Sequence, residues 1–261
     1  MRPDHILEQT QWDTFWVPPD TTIIDRPSLL CTAHPRDSPT LNSANRIRCP
    51  DASLGGLLAA VVGAHAGRRS RVPVNPQNRR PALHAALRAA GYAQDHEHDG
   101  YTIAADAPRR PSRPGLVVRR IDSMARLCDA ISVSNRAFVR DEQPGQDELM
   151  AQLATCAAPT GRVHRFVAYA ADGEPLASAG MTLFPGLGFA FFWGGGVVPS
   201  CRGRGAYTAL VTARLRQASQ RGMASAGLYA RLETAAPIVS AQGFRRHGRM
   251  TFWERPATVP G

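Results

Sequence analysis

The most informative segment of the chain reads Val197-Val198-Pro199-Ser200-Cys201-Arg202-Gly203-Arg204-Gly205-Ala206-Tyr207. It joins an apolar stretch to a segment with helical periodicity. Gly203 and Gly205 let the backbone turn tightly and approach a ligand closely. The first N–H groups of a helix have no partner inside the helix and carry a partial positive charge. With Arg202 and Arg204 beside it, this helix start predicts an anion site whose usual guest is a phosphate.

The residues around this loop exclude two common phosphate-binding motifs. No Gly-Lys-Ser/Thr follows, so the loop is not a Walker loop, and the Gly-x-Gly-x-x-Gly dinucleotide fingerprint is absent. Upstream, Gly194-Gly195-Gly196 interrupts an apolar strand, which indicates a bulge or a close approach to the strand backbone. The segment therefore predicts a strand, an anion-binding loop and an amphipathic helix, in that order.

The charge of the chain has two explanations. All 31 basic residues are arginine, and with 21 acidic residues they give a formal charge of +10. Arginine neutralises phosphates, so this charge fits nucleic-acid binding. The absence of lysine in a chain rich in Ala, Arg, Gly and Pro fits a GC-rich genome equally well. No aromatic residues interleave with basic ones along a strand, so we do not expect a nucleic-acid partner.

Metal and membrane functions are not expected. The five cysteines include no CxxC pair, which argues against a zinc site and a disulfide framework. His96-Glu97-His98 is interpreted as part of a polar hairpin turn, and no metal is predicted. The N-terminus lacks the apolar run of a secretory signal, and the longest apolar stretch, 57–64, is too short to span a bilayer. We expect a cytoplasmic protein; the pattern does not predict its oligomeric state.

The organisation of the chain follows from a proline-rich segment. Residues 108–115 contain three prolines and a glycine, which predicts a linker between a first lobe at 1–107 and a domain at 116–261. Both halves close with an alanine-rich helix, a Gly-aromatic pair and an expected hairpin with a polar turn. The pairs are Gly91-Tyr92 and Gly243-Phe244. This likeness leaves open the duplication of one α/β unit.

The loop carries a resemblance to a known family. Arg202-Gly203-Arg204-Gly205-Ala206-Tyr207 resembles the [Q/R]xxGx[G/A] loop of the GNAT superfamily of N-acetyltransferases. The order of strands and helices after residue 116 and the Gly243-Phe244 ending are also similar. The resemblance implies an α/β (α+β) fold with a mixed, mostly antiparallel central sheet, flanked by helices and splayed at the cofactor site. It makes the first lobe a degenerate GNAT-like lobe that covers the acceptor site.

The same resemblance implies acetyl-CoA as the co-substrate, without a metal. The strand before the loop would splay from its neighbour at 228–232 and bind the pantetheine arm, and one backbone N–H would serve as an oxyanion donor. Tyr207 departs from the family, which has Gly or Ala at this position. The expected cofactor-binding residues are Val197, Val198, Arg202, Gly203, Arg204, Gly205, Ala206 and Tyr207.

The catalytic acid is not at its usual place. Many relatives have a tyrosine four residues before Gly-Phe, and here that position is Val239. We expect Glu233, at the end of a strand and the start of the final helix, to act as the base, and Tyr229 on that strand to act as the acid. Asp141 and Glu142 are further candidates. Glutamate in the first turn of a helix is also an ordinary dipole partner, so the role of Glu233 stays open.

The expected function is N-acetyl transfer from acetyl-CoA to a primary amine of a small molecule or peptide, by direct attack of the amine. A non-catalytic CoA-binding or sensory protein is an alternative, motivated by Val239. An RNA-associated acyl or aminoacyl transferase is a third possibility, motivated by the charge.

Overall fold

The computed structural model describes residues 1–108 and 113–258, so Arg109–Ser112 of the predicted linker lie outside the described residues. The described residues form two compact units. The first contains residues 1–100, 230–236 and 247–258, and the second contains residues 101–108, 113–229 and 237–246. The sequence predicts one lobe at 1–107 and one domain at 116–261. In the structure, residues 230–236 and 247–258 are grouped with the first unit instead.

The first unit is a sheet with helices packed on it. Within it the sheet order is β1-β2-β3-β4-β11-β5, where β11 is Arg245–Arg255; the pairs β1-β2, β2-β3 and β4-β11 are antiparallel, and β3 is parallel to β4. Trp253 of β11 is 1% exposed and packs in the same apolar core as Leu58 and Leu87. The elements of this part of the chain are α1 Pro3–Gln9, β1 Thr22–Arg26, β2 Leu29–Ala33, β3 Ser43–Asn45, α2 Leu54–His65, β4 Ser70–Val74, α3 Pro81–Ala89 and β5 Ala93–Ala104.

The second unit contains the predicted loop. Its sheet runs β10-β9-β8-β7-β6, with antiparallel pairs from β6 to β9 and a parallel pair between β9 and β10. The expected mixed, mostly antiparallel sheet flanked by helices is confirmed. The elements after residue 113 are β6 Val117–Arg120, α4 Met124–Phe138, α5 Gln146–Ala157, β7 Val163–Tyr169, β8 Pro175–Phe184, β9 Phe189–Val197, α6 Ala206–Gln220, β10 Ser225–Arg231, α7 Ala235–Ala241 and β11 Arg245–Arg255.

Both expected hairpins are wrong. Residues 93–104 and 245–255 each form one continuous strand, β5 and β11, where the sequence favours a polar turn. The cause is charge pairing across the sheet of the first unit. Arg249 of β11 donates hydrogen bonds to Glu97 at 2.8 Å and to Asp99 at 3.1 Å, and Asp99 is 4% exposed. These partners allow a highly polar segment to continue as a strand.

Helix α6 is held on the sheet by one apolar side. Its residues Leu210, Val211, Leu215 and Ala218 are each at most 4% exposed, as the spacing of the sequence predicts, whereas Tyr207 of the same predicted stripe is only partly buried. Among residues 1–108 and 113–258, every helix is too short or too polar to cross a lipid bilayer.

Candidate active site

The glycine run of β9 forms a bulge. The pairing of β8 with β9 passes from Ser178 opposite Gly196 to Gly180 opposite Trp193, so β9 has one extra residue here. Gly194 has a φ of +59°, which a glycine adopts without strain. The bulge expected from Gly194-Gly195-Gly196 is therefore present, and it turns the backbone of β9 away from a regular ladder.

Side chains cover the two glycines after the bulge. A Cβ at Gly195 would lie 3.0 Å from Cε2 of Tyr207, and a Cβ at Gly196 would lie 2.8 Å from Cβ of Ala137 and 2.9 Å from Cε2 of Phe138. Successive residues of a strand point to opposite faces. Glycine is thus required by close packing on both faces of β9, and Tyr207 lies directly against the bulge.

Beyond their first residues, β9 and β10 are not paired. The parallel register joins Ser225, Ala226 and Gly227 to Phe189, Ala190 and Phe191, although β9 continues to Val197 and β10 to Arg231. The rings of Phe191 and Tyr229 face each other edge-on with centroids 6.3 Å apart. The end of β9 therefore presents backbone groups that β10 does not use.

The two valines of the loop differ in their backbone contacts. The N–H of Val198 donates to the carbonyl of Leu176 at 2.9 Å, and its own carbonyl accepts from Cys201 at 2.8 Å. Backbone groups alternate in direction along an antiparallel strand. Since the N–H of Val198 points to β8, the backbone groups of Val197 point to the opposite side, where β10 diverges.

The loop itself has the geometry of an anion site. After a short 3-10 turn at Pro199–Cys201, Gly203 and Gly205 have φ values of +77° and +87°, and α6 begins at Ala206. By helix geometry the N–H groups of the first turn have no acceptor within α6. Arg202 and Arg204 are exposed beside them. Fixed N–H donors, the helix dipole and exposed guanidinium groups favour a phosphate at this position.

Sequence reasoning missed a third arginine at the loop. Nη1 of Arg113 donates to the carbonyl of Gly203 at 3.2 Å, and its Cδ lies 3.1 Å from the position of a Cβ on Gly205. Arg113 lies in the predicted linker, where nothing in the local pattern distinguishes it from its neighbours. Only the fold of the second unit brings it to a loop 90 residues away.

The loop also leads to a buried arginine that the sequence does not distinguish. Arg214 of α6 is 1% exposed; its Nε donates to the carbonyl of Leu210 and its Nη1 to the carbonyl of Gly180. Its guanidinium lies 4.4 Å from the ring centroid of Phe192. Burial lowers the pKa of Arg214, and Tyr207 partly offsets this by contact with the guanidinium. Arg214 follows Tyr207 by seven residues, about two helical turns. This spacing places both residues on one side of α6 and is the signal in the sequence that could have pointed to Arg214.

The catalytic candidates lie as follows. Glu233 is in a turn two residues before α7, not in the helix, and its carboxylate is 71% exposed and 3.7 Å from Arg231 in the first unit. Tyr229 belongs to the second unit and is half-buried. Val239 is fully buried in α7. Asp141 and Glu142 are exposed.

One cluster in the first unit has the residue types of a metal site. Single ligand atoms of Asp95, His96 and Glu254 lie within 4.8 Å of one another. The ring of His96 stacks on Phe252 with centroids 4.4 Å apart, and His96 is hydrogen-bonded to Asp95. These contacts account for the position of the imidazole within the sheet.

A bulged strand that leads through an arginine- and glycine-rich loop into a helix, beside a diverging parallel strand, is an arrangement of the GNAT fold. Residues 129–248 match the acetyltransferase (GNAT) family. The matched segment contains the bulge, the loop and α6. No curated protein matches the chain.

Solved structures show the same fold over nearly the whole chain. A GCN5-related N-acetyltransferase from Kribbella flavida is 18% identical, with a TM-score of 0.73 over 98% of this chain and 96% of that one. One from Sphaerobacter thermophilus is 16% identical, with a TM-score of 0.63 over 94% and 81%. A tandem GNAT protein from the clavulanic acid biosynthesis pathway is 16% identical, with a TM-score of 0.60 over 94% and 86%.

Proposed function

We propose that the chain transfers an acetyl group from acetyl-CoA to a primary amine of a small molecule or a peptide. The observation that carries the proposal is the loop at Arg202–Ala206, with two left-handed glycines, two exposed arginines and the start of α6. A pyrophosphate matches the N–H donors and positive charges of this loop. Residues 129–248 match an acetyltransferase family, and this match supports acetyl-CoA as the proposed donor.

The groups of the second unit have distinct proposed roles. The loop from Arg202 to Ala206 holds the pyrophosphate, and the backbone of Val197 binds the pantetheine arm at the point where β10 diverges. Val198 anchors the loop through its two backbone hydrogen bonds. An N–H of the bulge at Gly194–Gly196 stabilises the oxygen of the thioester while the amine attacks.

Proton transfer completes the reaction. A neutral amine attacks the thioester carbonyl, loses a proton to a base, and the C–S bond breaks as the thiol leaves. Glu233 is the proposed base because its carboxylate is exposed and lies two residues after the end of β10. Tyr229 is the candidate acid that the sequence suggests. Glu233→Gln is expected to reduce kcat by about 100-fold, the usual effect of a positioned base, with unchanged CoA affinity.

The test is titration calorimetry with CoA and acetyl-CoA. The release of the CoA thiol from acetyl-CoA is then measured in the presence of a panel of aminoglycosides, polyamines, amino sugars and peptides. Binding with amine-dependent turnover is the expected result. Binding without turnover for any amine would favour the sensory alternative. No binding of either ligand would contradict the proposal.

A further inference from the structure

The cluster of Asp95, His96 and Glu254 in the first unit has a rigid frame. Asp95 and His96 lie on β5 and Glu254 lies on β11, and these two strands are hydrogen-bonded neighbours in the sheet. A hairpin turn, which the sequence favours here, would leave the three side chains without a fixed geometry. Two adjacent strands position side chains more precisely than a loop does, so the reason for expecting no metal at His96 does not hold in the structure.

The imidazole of His96 is positioned by two neighbours. Its ring stacks on Phe252 of β11, with centroids 4.4 Å apart and an interplanar angle of 17°. Its Nδ1 is hydrogen-bonded to the carboxylate of Asp95, and its side chain is 20% exposed. Phe252 and Glu254 are two residues apart on one strand, so their side chains point to the same face of the sheet. The stacking contact therefore brings the imidazole to the face that carries Glu254.

The two carboxylates of the cluster lie close together without an arginine as counter-ion. Single ligand atoms of Asp95, His96 and Glu254 lie within 4.8 Å of one another, and like charges at this distance repel. Within the part of the chain that the structure describes, no arginine forms an ion pair with either carboxylate, whereas the other two acidic residues of β5 pair with Arg249. The guanidinium of Arg71, opposite Glu254 on β4, lies over an aromatic ring of β11 at 5.4 Å from the centroid. The cluster therefore favours a bound cation.

One ring nitrogen and two carboxylate oxygens are a donor set for a divalent transition metal. Zn²⁺ binds imidazole nitrogen and carboxylate oxygen at about 2.0–2.2 Å, so two donors of one ion lie at most about 4.4 Å apart. The carboxylate of Asp95 is 51% exposed and can make the small movement that this limit requires. Ca²⁺ and Mg²⁺ match less well, because both prefer oxygen donors alone.

We propose that Asp95, His96 and Glu254 bind one divalent transition-metal ion, with Zn²⁺ as the best match and water in the remaining position. The ion removes the repulsion between the two carboxylates and joins β5 to β11, so it stabilises the sheet of the first unit. The cluster shares no residue with the loop to which we assign the pyrophosphate. This inference therefore does not depend on the proposed function.

The first test is titration calorimetry with Zn²⁺ on the full chain without a histidine tag. One ion per chain is expected. His96→Gln and Asp95→Asn should each lower the affinity at least about 10-fold, because even the loss of a group that only orients a metal ligand has an effect of this size. Since Asp95 is largely exposed, Asp95→Asn tests the site even if His96→Gln disturbs the packing on Phe252.

His5→Gln is the matched control, because it removes another partly exposed histidine of the first unit. It should keep the affinity for Zn²⁺ and the rise in Tm that the ion causes in the unsubstituted protein, whereas Asp95→Asn should lose that rise. The proposal is overturned if Zn²⁺ does not bind, if His96→Gln and Asp95→Asn bind it as the unsubstituted protein does, or if all three variants lose affinity equally.

Anomalous scattering at the zinc absorption edge, measured on crystals of the full chain grown with Zn²⁺, locates the ion directly. The expected result is a peak within about 2.5 Å of a ring nitrogen of His96 and of a carboxylate oxygen of both Asp95 and Glu254. Peaks that lie only at other residues would identify adventitious ions and would overturn the assignment.

Discussion

Arg113 lies across the loop that begins α6, and its Nη1 donates a hydrogen bond to the carbonyl oxygen of Gly203 at 3.2 Å. The aliphatic part of the same side chain covers Gly205. A long cationic side chain from a distant segment thus covers the backbone turn to which we assign the pyrophosphate. The guanidinium is exposed and needs only a rotamer change to reach a bound phosphate.

Arg113→Ala is therefore expected to weaken CoA binding by about 3- to 10-fold, with a smaller dependence of affinity on salt. One exposed arginine–phosphate contact contributes about 1 kcal/mol. Titration calorimetry at two salt concentrations measures both quantities. Arg119→Ala removes an exposed arginine from the strand β6 and serves as the control. Tighter binding by Arg113→Ala would show that Arg113 blocks the loop instead.

Gly205→Glu is expected to abolish CoA binding. A non-glycine residue at a φ of +87° costs about 1 kcal/mol in the fold, and a carboxylate at the helix start repels a phosphate. Gly222→Glu is the matched control, since Gly222 has a φ of +75° and open space around it at the other end of α6. If both variants lose stability equally and both bind CoA, the loop is not the anion site.

Gly196→Ala tests the packing of the bulge. The added methyl group meets Ala137 at 2.8 Å and Phe138 at 2.9 Å, so α4 or β9 must move. We expect a loss of about 1–3 kcal/mol in stability and a higher KM for the acyl donor. Denaturant unfolding and steady-state kinetics measure the two effects. Gly186→Ala, which has nothing within 4 Å, is expected to change neither; an unaffected Gly196→Ala would contradict the packing argument.

Stability should fall as the pH is lowered below about 6.5. His164 is fully buried, and desolvation, with smaller repulsion from Arg120 and Arg221, lowers its pKa to about 4. Between these values the unfolded chain binds a proton that the folded chain excludes, so stability is lost as pH falls through this window. One such histidine accounts for about 2 kcal/mol between pH 7.5 and 5.

His164→Leu should reduce that pH dependence by about 2 kcal/mol in urea unfolding at the two pH values. Leucine fills a similar volume and does not titrate. His5→Leu, a change at a partly exposed histidine of α1, is expected to leave the pH dependence intact. If the free energy of unfolding of His164→Leu depends on pH as strongly as that of the unsubstituted protein, the imidazole of His164 becomes protonated without loss of the fold.

The sequence predicted the parts of the site that depend on neighbouring residues. Gly203 and Gly205 identify a left-handed turn, Ala206 onward identifies an amphipathic helix, and Gly194-Gly195-Gly196 identifies a bulge. Each of these features depends on the φ values or periodicity of a few consecutive residues, so a short stretch of sequence contains the necessary information. The order of strands and helices from residue 116 to the end of α7 follows for the same reason.

Tertiary structure decided the features that need a distant partner. The polar stretch at Asp95–Gly100 is a strand because Arg249, about 150 residues further on, neutralises Glu97 and Asp99. Arg113 reaches the loop only because the second unit folds these segments together, and Arg214 is buried because α6 packs on β8 and β9. A short stretch of sequence contains the backbone preferences of its residues and the spacing of its apolar residues. Charge pairing and burial depend instead on which distant segments come into contact, and this is determined only when the sheet assembles.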